Sequence, residues 1–234
     1  MSDPLEVSRR ESSVLRISVR TAAIMLAFTV VFTALMAGTY KLTEPLVTAS
    51  ALEEKLRLIG EVLPTALYDN DLMKDAIDLP PQPALGLDFD TRLWRARKAG
   101  APVALVLEAA ARDGYSGRVA MILAVSADGH LLALRVTSHK ETPGLGDYID
   151  PKKDRNKARP WITQFNGLGF DGVPRQKWRV KKDGGHFDQM SGATISARAV
   201  TNASGRALAW ATENRDKLFA LPANGRFEQQ GANP

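Results

Sequence analysis

Gly117-Arg118-Val119-Ala120-Met121-Ile122-Leu123-Ala124-Val125 leads through Ser126-Ala127-Asp128-Gly129 into His130-Leu131-Leu132-Ala133-Leu134-Arg135-Val136-Thr137. Two apolar runs flank an Asp-Gly pair. Asp-Gly suits the positive φ of a hairpin turn, so the stretch reads as two antiparallel strands. Val103 to Leu107 reads as a third strand just upstream. A strand with one wet face alternates apolar and polar residues. These runs are apolar almost throughout, so both faces of their sheet need cover. That points to an α+β domain with a mainly antiparallel sheet packed by helices. Trp178-Arg179-Val180 is predicted to add a short strand before the turn at Gly184-Gly185.

The helices lie on either side in sequence. Downstream, Ile195, Ala199, Asn202, Ala203, Ala207 and Trp210 recur at spacings of three and four, which marks a helix burying that stripe. Gly205 weakens it by about 1 kcal/mol relative to alanine. Asn224-Gly225 is its predicted end, and the tail from Phe227 is polar. Upstream, Leu52, Leu56, Ile59 and Leu63 give the stretch from Ala49 to Leu63 an amphipathic helical pattern that Pro64 interrupts. Asp69-Asn70-Asp71 and Leu79-Pro80-Pro81-Gln82-Pro83 read as loops.

Thr21 to Tyr40 carries no charge and is bracketed by Arg20 and Lys41. Twenty helical residues cover about 30 Å, the hydrocarbon thickness of a bilayer. Tyr40 sits where an interfacial aromatic belongs. A cleaved signal peptide is the competing reading, but its apolar core is usually only about 7–15 residues. A retained anchor is the better fit. Arg9, Arg10, Arg16 and Arg20 precede the span, which predicts a cytoplasmic N-terminus and a periplasmic bulk in a Gram-negative cell. The chain then divides into a cytoplasmic tail (1–20), a transmembrane helix (21–40), a helical and loop spacer (41–95), the sheet-bearing domain (96–223) and a loose tail (224–234).

Composition excludes several chemistries. None of the 234 residues is cysteine, so disulfides, thiolate zinc sites and iron–sulfur ligation by this chain are ruled out. His130, His139 and His186 lack ligand-like spacing, and no metal site is expected. The net charge is +5, with basic runs at Lys152, Lys153, Arg155, Lys157 and Arg159 and at Arg175, Lys177, Arg179, Lys181 and Lys182. No nucleic-acid motif accompanies them. They read either as solvated surface or as contacts to lipid headgroups or an acidic partner subunit. There is no nucleophile elbow, no Walker loop and no Gly-x-Gly-x-x-Gly. Asp147 and Asp188 as an acid–base pair of a hydrolase is a minor alternative.

Asp188-Gln189-Met190-Ser191-Gly192-Ala193-Thr194 opens the C-terminal helix. A helix start carries free N–H groups and the positive end of the macrodipole, so it suits a phosphate. Gly192 allows close backbone approach and Ala193 adds little bulk. Arg198, in the first turn, is positioned to add a charge-assisted bond. The same residues also fit an ordinary Ser/Thr helix cap. Likewise Glu141-Thr142-Pro143-Gly144-Leu145-Gly146 fits either a plain Pro-Gly turn or a stiff loop laid against a planar ring.

Asp188-x-x-Ser191-Gly192-Ala193-Thr194 resembles the flavinylation motif of the FMN-binding domain family, and Ser138 to Gly146 is similar to that family's other signature loop. Trp161 to Gly167 also resembles the family pattern. With one N-terminal span, the layout is similar to the anchored flavin subunits of Rnf ion-translocating complexes and of sodium-translocating NADH:quinone reductases. The resemblance implies FMN bound covalently, through its phosphate, to Thr194. It implies cofactor contacts from Ser191, Gly192, Ala193, Glu141, Thr142, Gly144 and Leu145. Asp188 is implied as a recognition residue for a flavin transferase that uses FAD and a divalent metal. The implied role is an electron relay at the bacterial inner membrane, in an oxidoreductase complex that moves Na⁺ or H⁺, with no substrate turnover by this subunit alone. Implied partners are the other membrane subunits, the transferase and the lipid bilayer, with no nucleic acid. An extracytoplasmic assembly module without a redox role is the alternative.

Overall fold

The computed structural model describes residues 4–228, and the final residues 229–234 lie outside the description. The first element, α1 (Pro4–Val62), is one helix. The separate helix expected from Ala49 is its continuation: Lys41 and Glu44 end the apolar run without ending the helix. The chain divides into two compact units, Met1–Glu54 and Lys55–Pro234. In the first, Arg16–Glu44 is long and apolar enough to cross a membrane, with mean hydropathy 2.0 and none of its apolar window buried.

The second unit is built on a six-stranded antiparallel sheet in sequential order. Its strands are β1 (Ala76–Leu79), β2 (Thr91–Lys98), β3 (Ala101–Gly114), β4 (Gly117–Ser126), β5 (His130–Ser138) and β6 (Leu168–Gly169). In register, Val106 faces Ala124 and Leu123 faces Leu134. Gly129 takes φ 84°, as the hairpin turn between β4 and β5 requires. Leu105, Leu107, Met121, Leu123 and Val125 point to one side. There they pack on α2 (Thr194–Ala220) through Ala199, Ala203, Ala207 and Trp210. Ala104, Val106, Ile122 and Ala124 point to the other side and pack with Ile59, Val62 and Leu63 at the end of α1. Both faces are therefore covered, as the unbroken apolar runs require.

Several expectations need correction. The stretch read as a spacer, 41–95, supplies β1 and the start of β2. Trp178-Arg179-Val180 is not a strand: Val180 makes a single bridge to Phe187, and Trp178 packs on Phe165, Phe170 and Phe187 instead. The stripe at the end of α1 is rotated from the expected one, with Leu56 exposed and Val62 buried. The side chain of Leu52 lies outside the described residues. The C-terminal helix stops at Ala220, because Leu221 precedes a proline and is extended (ψ 148°). Its last carbonyls are held from β2. Buried Arg95 donates through Nη1 to Leu218 O (2.9 Å), and Arg97 Nη2 donates to Phe219 O (2.9 Å). Both guanidiniums also pair with Asp75.

Candidate functional site

Three loops meet the first turn of α2. The β3–β4 hairpin, closed by the Gly114–Gly117 pair, carries Tyr115 and Ser116 at its tip. The loop after β5 turns tightly, with the N–H groups of Leu145 and Gly146 both donating to Thr142 O at 3.1 Å. Gly144 holds φ 75° there, and its N–H donates to Asp147 Oδ1 (2.9 Å). The third is the Met190–Ala193 turn, in which Gly192 takes φ 83°. Its N–H(193)···O(190) bond measures 3.1 Å.

Glu141 ties these pieces together. It is buried, and Oε1 accepts from Ser116 N–H (3.1 Å) while Oε2 accepts from Ser196 Oγ on α2. Gly146 lies so close to Ser196 Oγ and Glu141 that a side chain there would collide with both. Tyr148 clamps the third loop. Its hydroxyl accepts from Met190 N–H and donates to Ala193 O, each at 3.2 Å. Burial pushes this phenol up to about 12, with the charges of Asp154 and Glu141 adding to the rise.

These elements enclose a cavity of about 240 Å³ lined by Tyr115, Glu141, Thr142, Leu145, Ile195 and Ser196, with Gly146, Gly192 and Ala193 supplying backbone. Its rim is apolar and wet: Tyr115 is 67% exposed, Leu145 53% and Ile195 44%. Ile195, expected in the helix's buried stripe, stands here instead. The volume is below the roughly 300–1,000 Å³ of clefts that enclose a whole small molecule, and it suits one planar group held by an edge and a face.

The helix start is uncapped. Ala193 occupies the N-cap position and makes no side-chain cap bond. The ordinary Ser/Thr cap, open from the sequence, is therefore not what Ser191 and Thr194 do. Among the described residues the half-buried Thr194 hydroxyl has no hydrogen-bond partner. A capping side chain would satisfy the first-turn N–H groups; without one they are available to an anion.

Of the sequence-predicted residues, Glu141, Thr142, Leu145, Gly192 and Ala193 line the cavity, and Thr194 directly follows Ala193. Ser191 and Gly144 belong to the same loops outside the lining. Asp188 stands apart from the cavity. Its exposed carboxylate pairs with Lys181 (2.6 Å), while its backbone is held by Gln164 and by Trp161 Nε1 (2.7 Å). Arg198 does not face the helix start. It makes a two-point pair with Asp183 (2.6 and 2.8 Å), which holds that carboxyl below the usual range. Sequence reasoning missed Tyr115, Ser116, Tyr148 and Ser196. A tyrosine and serine between Gly114 and Gly117 was the one signal available for the first pair.

Comparison with known proteins matches these features. The model of the FMN-binding domain matches residues 114–209, from the hairpin through most of α2. The model of the RnfG N-terminal region matches residues 13–62. The G subunit of the ion-translocating oxidoreductase complex of Shewanella loihica is 36% identical over 206 residues, 88% of this chain and 95% of the relative. Its counterpart in Cronobacter sakazakii is 41% identical over 205 residues, covering 88% and 94%. That of Pseudomonas aeruginosa is 38% identical over 205 residues with the same coverage. With the hairpin, the Pro-Gly loop and the uncapped helix start all inside the matched span, the chain belongs to the family of G subunits of ion-translocating oxidoreductase complexes.

Proposed function

We propose that this chain is a membrane-anchored flavoprotein subunit that relays electrons within an ion-translocating oxidoreductase complex, with FMN carried as a phosphoester on Thr194. The observation that carries the reading is the uncapped start of α2, with a partnerless threonine hydroxyl beside an apolar-rimmed cavity. Thr194 offers Oγ1 as the attachment point, and the first-turn N–H groups and Gly192 would hold the phosphate oxygens. Leu145, Ile195 and Tyr115 would cover the ring, while Glu141 keeps hairpin, loop and helix in register. When bound, FMN supplies electron transfer in single steps. Among the described residues no base is bonded to Thr194 Oγ1, so the ester would be made by a separate flavin transferase. The pyrophosphate bond of FAD breaks as the ester forms, and AMP leaves. Asp188, exposed and off the cavity, would serve recognition by that enzyme.

The Arg16–Glu44 helix anchors the chain, since an uncovered apolar surface of that length belongs in lipid. The four arginines ahead of it favour a periplasmic flavin domain. A covalent tether fits that side, because a dissociable cofactor is lost where its free concentration is negligible. The complex would couple this relay to movement of Na⁺ or H⁺.

The test is direct. The natively produced chain should weigh more than its amino acids by one FMN less water, and its denatured band should fluoresce. Thr194→Ala should abolish both signals. Fluorescence that persists in the variant rules out this attachment site. A colourless parent from transferase-containing cells favours an assembly role instead.

A further inference from the structure

We infer that a basic cleft along α2, separate from the flavin cavity, receives an acidic segment of another subunit of the complex. The inference rests on the chain being a complex subunit and not on the Thr194 bond. The cleft measures about 570 Å³, and its lining includes Arg175, Arg179, Arg206, Trp178, Asn202 and Asp183. Two of its charges are already matched. Asp183 is taken by Arg198, and Arg175 pairs with Glu213 at 2.7 Å. Arg179 and Arg206 have neither hydrogen bond nor ion pair from their side chains among the described residues. The charge of Arg179 helps to lower the Asp183 carboxyl without touching it, so two exposed guanidiniums in one recess have no carboxylate in contact.

The recess is built rather than incidental. Its floor is Trp178, buried and fixed by the bond from Nε1 to Ser204 Oγ (3.1 Å). The indole can lie there because position 205 is glycine, whose missing Cβ would come within 2.6 Å of Trp178 Cδ1. The segment that forms this side of the cleft is net basic: from Asp171 to Asp183 there are five Lys/Arg and two Asp. Guanidinium forks match carboxylates in two-point geometry, and an unbalanced basic patch steers an acidic partner toward it. A carboxylate side chain can enter the recess between the 3₁₀ turn Arg175–Lys177 and α2, whereas a planar headgroup layer meets only its rim. Asn202 lies eight residues along the helix from Thr194, about 12 Å on the axis. A partner seated in the cleft is held close to the attachment residue, where an electron partner needs to be.

The experiment uses the full chain co-produced with the other subunits, with p-benzoyl-phenylalanine replacing Asn202, and Asp88 replaced in a control. After irradiation and digestion, the cross-linked peptide is identified by mass spectrometry. The expected result is a segment of one other subunit containing Asp or Glu. Combining Arg179→Glu with Arg206→Glu should lower the yield by at least about fivefold. Thr194→Ala should leave it unchanged, which separates this result from flavin attachment. If melting shows that the double reversal does not fold, Arg179→Gln with Arg206→Gln takes its place and should still lower the yield. A lipid adduct, a segment without acidic residues, a yield no higher than the control, or a yield that the folded double variant does not lower would each overturn the inference.

Discussion

Gly205 is where the C-terminal helix gives up propensity for packing. Alanine there would gain about 1 kcal/mol of helix propensity. Its methyl would also press on Trp178, which is buried and tied to Ser204 and would have to give up that bond to move aside. Overpacking of that kind costs about 1–3 kcal/mol. Gly205→Ala is therefore expected to lower the melting temperature despite the better helix former, and a rise would show that Trp178 yields. Tyr148 gives a second residue-level prediction, read through pH. Its phenol titrates near 12 in the folded chain, above the ordinary value of 10.0. The fold thus favours the protonated form. That contribution is complete below about pH 10 and is lost as pH climbs through about 12. Melting temperature should fall more steeply between those limits for the parent than for Tyr148→Phe. Tyr68 is raised by burial too, but both chains keep it, so their difference isolates Tyr148. Parallel curves would refute the assignment. At neutral pH, losing the clamp on Met190 and Ala193 should cost about 1 kcal/mol.

Strand β2 shows what an element can hide. Its sequence, Thr-Arg-Leu-Trp-Arg-Ala-Arg-Lys, interrupts the apolar pattern with charge at positions that should face a core. Arg95 is nonetheless 1% exposed, because it satisfies the terminal carbonyls of α2 and pairs with Asp75. A partner about 120 residues away in sequence makes that burial tolerable, and no local pattern announces it. By contrast β4 and β5, with an Asp-Gly turn and no buried charge, are legible to within a residue. The candidate site divides the same way. Its backbone loops carry glycine and proline and were readable. Tyr148 and Ser196 act through contacts across the fold and were not. Arg95→Met tests the tie between strand and helix. It leaves Asp75 with one guanidinium and frees carbonyls at the end of α2, and breaking a buried ion pair from one side costs about 3–5 kcal/mol. Chemical denaturation should show a loss of that size. A loss below about 1 kcal/mol would mean that Arg97 alone closes the helix.

At the scale of the whole molecule, the absence of cysteine makes the side of the membrane that the sheet domain occupies measurable. A single introduced thiol is the only site a maleimide can label. Lys153→Cys lies in an exposed loop of the second unit, and Ser12→Cys precedes the span. The arginines at 9, 10, 16 and 20 outweigh Lys41 on the far flank, so the amino end should stay in the cytoplasm. In spheroplasts, an impermeant maleimide should label the thiol at position 153 and spare the one at position 12, and after lysis both should react. The reverse pattern would put the flavin domain in the cytoplasm. That would also remove the physical reason for a covalent tether, because a cytoplasmic site is replenished from free FMN. Orientation and attachment are therefore linked: a chain whose Thr194 is esterified should be the chain whose residue 153 faces outward.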